Sequence, residues 1–104
     1  MGDMSVFKPD VLKGRVALVT GGGSGIGFEI ARELGLHGCK GVAIFGRRKE
    51  FLEDAAKQMK GEGVEALAIP GDVRRGEDCS EAVNQVVNKF GGLDIVVNCA
   101  AGNS

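Results

Sequence analysis

Four short apolar runs, separated by segments whose apolar residues recur every three or four positions, leave this chain few ways to fold. The runs are Val16-Ala17-Leu18-Val19-Thr20, Val42-Ala43-Ile44-Phe45, the stretch from Val64 to Ile69, and Leu93-Asp94-Ile95-Val96-Val97. Short, continuous apolar runs suit strands buried on both faces of a parallel sheet. Between them, Ile26, Ile30, Ala31 and Leu34 follow helical spacing, as do Phe51, Leu52, Ala55, Ala56 and Met59. Cys79, Ala82, Val83, Val86, Val87 and Phe90 mark the clearest helix. Glycines punctuate the pattern: Gly35 and Gly38 close the first helix, Gly61 and Gly63 the second, Gly91 and Gly92 the third. The order β-α-β-α-β-α-β predicts an α/β chain, the N-terminal half of a Rossmann-like doubly wound parallel sheet with about four strands and three helices. Residues 1–13 form a polar lead-in containing Pro9, and 14–104 read as one partial domain.

Composition narrows the classes of function. A net charge of -1 and a pI near 5.8 give no reason to expect a nucleic-acid partner. No apolar run approaches the roughly 20 residues of a membrane span, and no signal-peptide core is visible, so an intracellular protein is expected. Cys39, Cys79 and Cys99 are odd in number and widely spaced, and none stands at metal-ligand spacing from His37. All three are expected to be buried thiols in a reducing compartment, with no metal site. The outlier is glycine, 18 residues in 104, against an ordinary usage of about 7%.

Several of those glycines carry chemistry. Thr20-Gly21-Gly22-Gly23-Ser24-Gly25-Ile26-Gly27 lies between the first strand and the first helix. Glycines there permit a tight turn and let backbone N–H groups approach a pyrophosphate resting on the positive end of the helix. Gly27 would allow close packing of helix on strand. A P-loop is excluded, because no Lys-Ser or Lys-Thr follows the glycines. The Gly-x-x-x-Gly-x-Gly spacing after a threonine resembles the short-chain dehydrogenase/reductase family. The resemblance continues in Gly71-Asp72-Val73 after the third strand and Asn98-Cys99-Ala100-Ala101-Gly102 after the fourth. It implies that Gly21, Gly22, Gly23, Ser24, Gly25, Ile26 and Gly27 cradle a dinucleotide and that Asp72 and Val73 contact its adenine. It further implies that Asn98, Ala100 and Gly102 support the central strand and the ribose-nicotinamide side. An Asp capping a turn and an Asn bonding its local backbone are the plainer alternatives.

The end of the second strand selects the cofactor. NAD enzymes place a carboxylate there for the ribose 2′-hydroxyl. This chain has Gly46-Arg47-Arg48-Lys49 and no acid before Glu50. Arg47 and Arg48 can hold a 2′-phosphate instead, so NADPH is the expected cofactor.

Within the family, the glycine loop, Gly71-Asp72-Val73-Arg74, Asn98-Cys99-Ala100-Ala101-Gly102-Asn103 and the opening Lys8-Pro9-Asp10-Val11-Leu12-Lys13-Gly14 are similar to the peroxisomal 2,4-dienoyl-CoA reductase branch. That resemblance spans nearly the whole chain. It implies NADPH-dependent reduction of a 2,4-dienoyl-CoA in unsaturated fatty acid oxidation, an acyl-CoA substrate, a peroxisomal location and a homo-oligomeric full-length parent. No peroxisomal address ends this chain; without one, the cytoplasm is expected. Arg47 and Arg74 would then contact the coenzyme A phosphates, unless they are surface cations or pair with a nearby acid such as Asp72. Another short-chain reductase, such as a 3-oxoacyl reductase, and a non-catalytic nucleotide-binding product are the alternatives. The catalytic residues are expected beyond Ser104. A fragment, weakly stable and inactive alone, with Ile95, Val96 and Val97 lacking a neighbour, is the expectation.

Overall fold

A computed structural model describes residues 11–21 and 25–99. Four strands, β1 (Val16–Thr20), β2 (Gly41–Gly46), β3 (Ala66–Pro70) and β4 (Ile95–Asn98), alternate with three helices, α1 (Gly25–Leu36), α2 (Lys49–Gly61) and α3 (Gly76–Phe90). The strands form one parallel sheet in the order β3-β2-β1-β4. This is the Rossmann-like half-sheet that the alternating pattern predicts.

Handedness decides where the helices lie. The steps β1-α1-β2 and β2-α2-β3 move across the sheet in one direction, and right-handed crossovers keep α1 and α2 on the same face. The step from β3 to β4 runs back past two strands, so the same hand places α3 on the opposite face. The core divides accordingly. Ala17, Val19, Val42, Ile44 and Ala66 pack with Ala31, Leu52, Ala55, Ala56 and Met59 on one face. Val16, Leu18, Ala43, Phe45 and Ile69 pack with Ala82, Val86 and Phe90 on the other. Successive strand residues point to opposite faces, so β1 and β2 are buried on both, and their buried side chains are apolar apart from Thr20 at the end of β1. Each large side chain fully buried there, such as Phe45 or Ile44, contributes about 1.5–3 kcal/mol.

Several boundaries differ from the sequence reading. β3 begins at Ala66, because Val64 still donates its N–H to Met59 at the end of α2 (2.9 Å) after a turn through Gly63 at φ +90°. β4 begins at Ile95, because Asp94 is bound to β1 by both backbone and side chain. Gly35 does not stop α1 but lies in its last turn, where a Cβ would enter the Val64 side chain. The break comes at Gly38, with φ +125°. Only Cys39 is buried; Cys79 and Cys99 are half-buried, a correction to the expectation of three buried thiols. Burial pushes the Cys39 thiol up, with the Asp94 charge adding to the effect.

At the β4 edge, Val96 is 61% exposed on the face that α3 covers over β1 and β2. Ile95 and Val97, on the other face, pack partly against the first core cluster.

Gly41 opens β2 where α3 crosses it. A Cβ at this position would enter the ring of Phe90. Gly41→Ala is therefore expected to lower unfolding stability by about 1–3 kcal/mol, read from urea denaturation of the chain. Adding Phe90→Leu should recover part of that loss; a neutral Gly41→Ala would refute the close contact.

Candidate functional site

Because all four strands are parallel, their C-terminal ends meet along one edge of the sheet. The loops that leave these ends are stitched together by one further rung of hydrogen bonds. Gly21 N–H donates to Phe45 O (2.8 Å), Gly71 N–H to Gly46 O (2.7 Å), and Cys99 N–H to Thr20 O (3.0 Å). Along this edge stand Asp72, then Arg47, then Gly21, then Asn98. Between β1 and β4 the chain changes direction across the sheet, which opens a crevice at their ends.

At that crevice β1 turns through Gly21, whose φ of +76° suits a residue without a Cβ. Gly25 opens α1 with no positive φ, and a Cβ there would meet nothing within 4 Å among the described residues. Neither backbone conformation nor packing explains a glycine at this position. Open space above a helix N-terminus does, if a ligand comes close to the backbone there. α1 carries no acid in its first turn, whereas α2 has Glu50 and α3 has Glu77 and Asp78. The first turn of α1 thus supplies no negative charge of its own to the positive end of the helix dipole. Ile26 is 73% exposed beside it, and Gly27 is buried. Thr20, buried at the end of β1, donates its hydroxyl to Asn98 Oδ1 (2.9 Å), which fixes the amide at the crevice.

Arg47 and Arg48 follow β2 and are exposed. The Arg48 guanidinium lies 5.2 Å from the Phe51 ring centroid, a contact that steadies it at the start of α2. After β3, Gly71 is required by packing, since a Cβ there would lie 2.5 Å from Phe45 Cε1. Asp72 donates its N–H to Asp78 Oδ2 (2.8 Å). Its own carboxylate accepts from Arg74 N (2.9 Å), Nε (3.1 Å) and Nη2 (3.0 Å). Those side-chain and backbone bonds from Arg74 hold the Asp72 carboxyl down at about 2, and the charge of Arg47 adds a smaller pull. Val73 packs partly against the second core cluster.

The structure thus brings Gly21, Gly25, Ile26, Gly27, Arg47, Arg48, Asp72, Val73 and Asn98 to one edge. Gly22, Gly23, Ser24, Ala100 and Gly102 lie outside the described residues. Arg74 takes the intra-loop pairing with Asp72, one of the two alternatives open from sequence. His37 sits at the far end of α1, its Nδ1 2.8 Å from Glu33 O. Two carboxylates with no signal in the sequence reading also shape the site. Asp78 holds the loop after β3, and Asp94 Oδ2 accepts the Val16 N–H (2.8 Å) at the start of β1.

Residues 15–104 match the family model described as short chain dehydrogenase. This chain belongs to the short-chain dehydrogenase family. The peroxisomal 2,4-dienoyl-CoA reductase of Arabidopsis thaliana is 54% identical over 99 residues, which cover 95% of this chain and 33% of that protein. Among solved structures, an actinorhodin polyketide ketoreductase with NADPH is 40% identical with a TM-score of 0.80, over 91% of this chain and 35% of that one. The L-sorbose reductase of Gluconobacter frateurii, complexed with NADPH and L-sorbose, is 36% identical with a TM-score of 0.82, over 89% of this chain and 35% of that one. The chain spans about a third of the length of these relatives. In open parallel sheets of this kind ligands bind outside the carboxyl ends of the strands, which is the edge described above.

The Asp72 carboxyl gives a direct check on this geometry. Its folded pKa of about 2 lies below the unfolded value, which is roughly 3.9 for an aspartate. The stabilisation it provides is therefore full above the unfolded value and is lost as pH falls through about 2. Carbon-detected NMR of the carboxyl should show that low midpoint, whereas a titration in the ordinary carboxylate range would rule out the Arg74 contacts.

Proposed function

We propose that this chain holds NADPH, and that the protein reduces a 2,4-dienoyl-CoA thioester by hydride transfer from that cofactor. The observation that carries the cofactor reading is the end of β2. Arg47 and Arg48 are exposed there with no carboxylate before Glu50, so nothing on that loop repels a 2′-phosphate. The two solved relatives described with NADPH support the same choice. When bound, the nicotinamide supplies the hydride; this chain's residues bind and orient.

Gly21 to Gly27 offer backbone N–H groups and the α1 terminus to the pyrophosphate. Asp72 and Val73 flank the adenine, Arg47 and Arg48 take the 2′-phosphate, and Asn98, Ala100 and Gly102 line the ribose-nicotinamide side. Arg47, beside the proposed adenosine position, is assigned to the cofactor and not to coenzyme A. Arg74, already paired with Asp72, is not assigned to coenzyme A either. The dienoyl-CoA substrate and a peroxisomal location rest on the likeness to the Arabidopsis reductase. A homo-oligomeric parent belongs to the same reading. The likeness to the polyketide ketoreductase favours a second reading, reduction of a 3-oxoacyl thioester.

Calorimetric titration should show tighter binding of NADPH than of NADH. Arg47→Ala should weaken NADPH by roughly tenfold or more, the size of one charge-assisted bond, with little effect on NADH. Equal affinities in the unmodified chain would overturn the NADPH assignment. Gly25→Val tests the loop, because a Cβ there meets nothing within 4 Å among the described residues but the side chain would intrude on the proposed pyrophosphate. Nucleotide binding should disappear while circular dichroism is unchanged; retained binding would reduce Gly25 to a turn residue.

A further inference from the structure

We propose that Arg74 sets cofactor preference without touching the cofactor: by engaging Asp72 it keeps that carboxylate from capturing Arg47, and so leaves the Arg47 charge for a 2′-phosphate. The inference rests on the NADPH reading above and makes Arg74 a positioning residue.

The juxtaposition follows from the sheet. Gly46 and Pro70 are register partners in β2 and β3, and Gly71 N–H bonds Gly46 O at 2.7 Å. Arg47 follows Gly46 directly and Asp72 follows Pro70 after one residue, Gly71, so the two leave neighbouring strand ends into adjoining loops. Asp72 lies within electrostatic reach of Arg47. Its backbone cannot swing away, because its N–H is held by Asp78 Oδ2 at 2.8 Å. A carboxylate at this place does two things to a bound 2′-phosphate: it repels it, and it competes for Arg47.

Arg74 answers both. It meets Asp72 through Nε, Nη2 and its own backbone N–H, the two-pronged geometry that guanidinium groups make with carboxylates. The partners are two residues apart in one loop, so little chain entropy is lost in holding them together. The other charged groups near this loop are engaged elsewhere: Arg75 with Glu77 at 3.2 Å, and Asp78 with the Asp72 backbone. Arg47 makes no ion pair among the described residues. An aspartate on the strand next to β2 is thereby made compatible with a phosphate-binding arginine.

The test uses Arg74→Gln in two measurements on the 104-residue chain. Without cofactor, NMR titration should show that Arg47→Ala raises the Asp72 midpoint more in the Arg74→Gln background than in the unmodified chain, because Arg47 takes over from the lost side chain. The residue-74 backbone N–H bond is common to all variants. An equal effect of Arg47→Ala in both backgrounds would overturn the proposal. With cofactor, calorimetry should show NADPH weakened by roughly two- to fivefold, as expected for one exposed ion pair, with NADH unchanged. Asp72→Asn added to Arg74→Gln should restore the ratio of NADPH to NADH affinity, because the adenine that Asp72 flanks is common to both nucleotides. Equal loss for both nucleotides, no loss, or no restoration would make Arg74 a loop scaffold only. An unmodified chain that does not prefer NADPH would refute the cofactor reading, while the NMR titrations would still decide whether Arg74 shields Arg47.

Discussion

The placement of β4 against β1 is the constraint on which the candidate site depends. Among the described residues β4 has a partner on one side only, so its position is set by what joins it to β1. The join is clamped at both ends. Asp94 brackets Val16, giving its N–H to Val16 O (2.9 Å) and taking the Val16 N–H on Oδ2 (2.8 Å). At the other end, Thr20 binds Asn98 through its hydroxyl, and Cys99 N–H reaches Thr20 O. Without the lower clamp β4 could slip by a residue, and a one-residue slip in a strand turns every side chain to the other face. Asn98 would then leave the crevice into which Gly21 and Gly25 open.

Electrostatics at the same edge follow from a similar economy of partners. Both acids that shape the loop after β3 are tied to a specific donor: Asp72 to Arg74, and Asp78 to the Asp72 N–H. The α1 terminus has no acid of its own. The result is an edge whose positive features, the helix terminus and the arginines after β2, are not cancelled by the carboxylates that build it. These pairs are too exposed to contribute much to folding stability. Their effect is on where charge is available.

The glycines divide by physical reason. Gly21 and Gly38 serve positive φ. Gly35, Gly41 and Gly71 are demanded by packing against Val64, Phe90 and Phe45. Among the described residues Gly25, Gly61, Gly76 and Gly92 are demanded by neither, and of these Gly25 is the one that opens the helix after β1, at the crevice.

Periodicity in the sequence was enough to determine the element order, the parallel sheet and the identity of the core, because strands buried on both faces read as near-continuous apolar runs. The glycine string and the arginines after β2 were equally legible, since their chemistry depends on residue type and on following a strand. The strand starts at Ala66 and Ile95 were not legible: they depend on Val64 being held by Met59 and Asp94 by Val16, contacts that no local pattern encodes. Nor could the sequence decide whether Arg74 faced a ligand or Asp72, or give Asp78 and Asp94 any role. Those outcomes depend on which side chains converge when the strands align. Hydrogen bonds between residues as far apart as Thr20 and Asn98 exist only once the sheet has formed, and tertiary structure alone decides them.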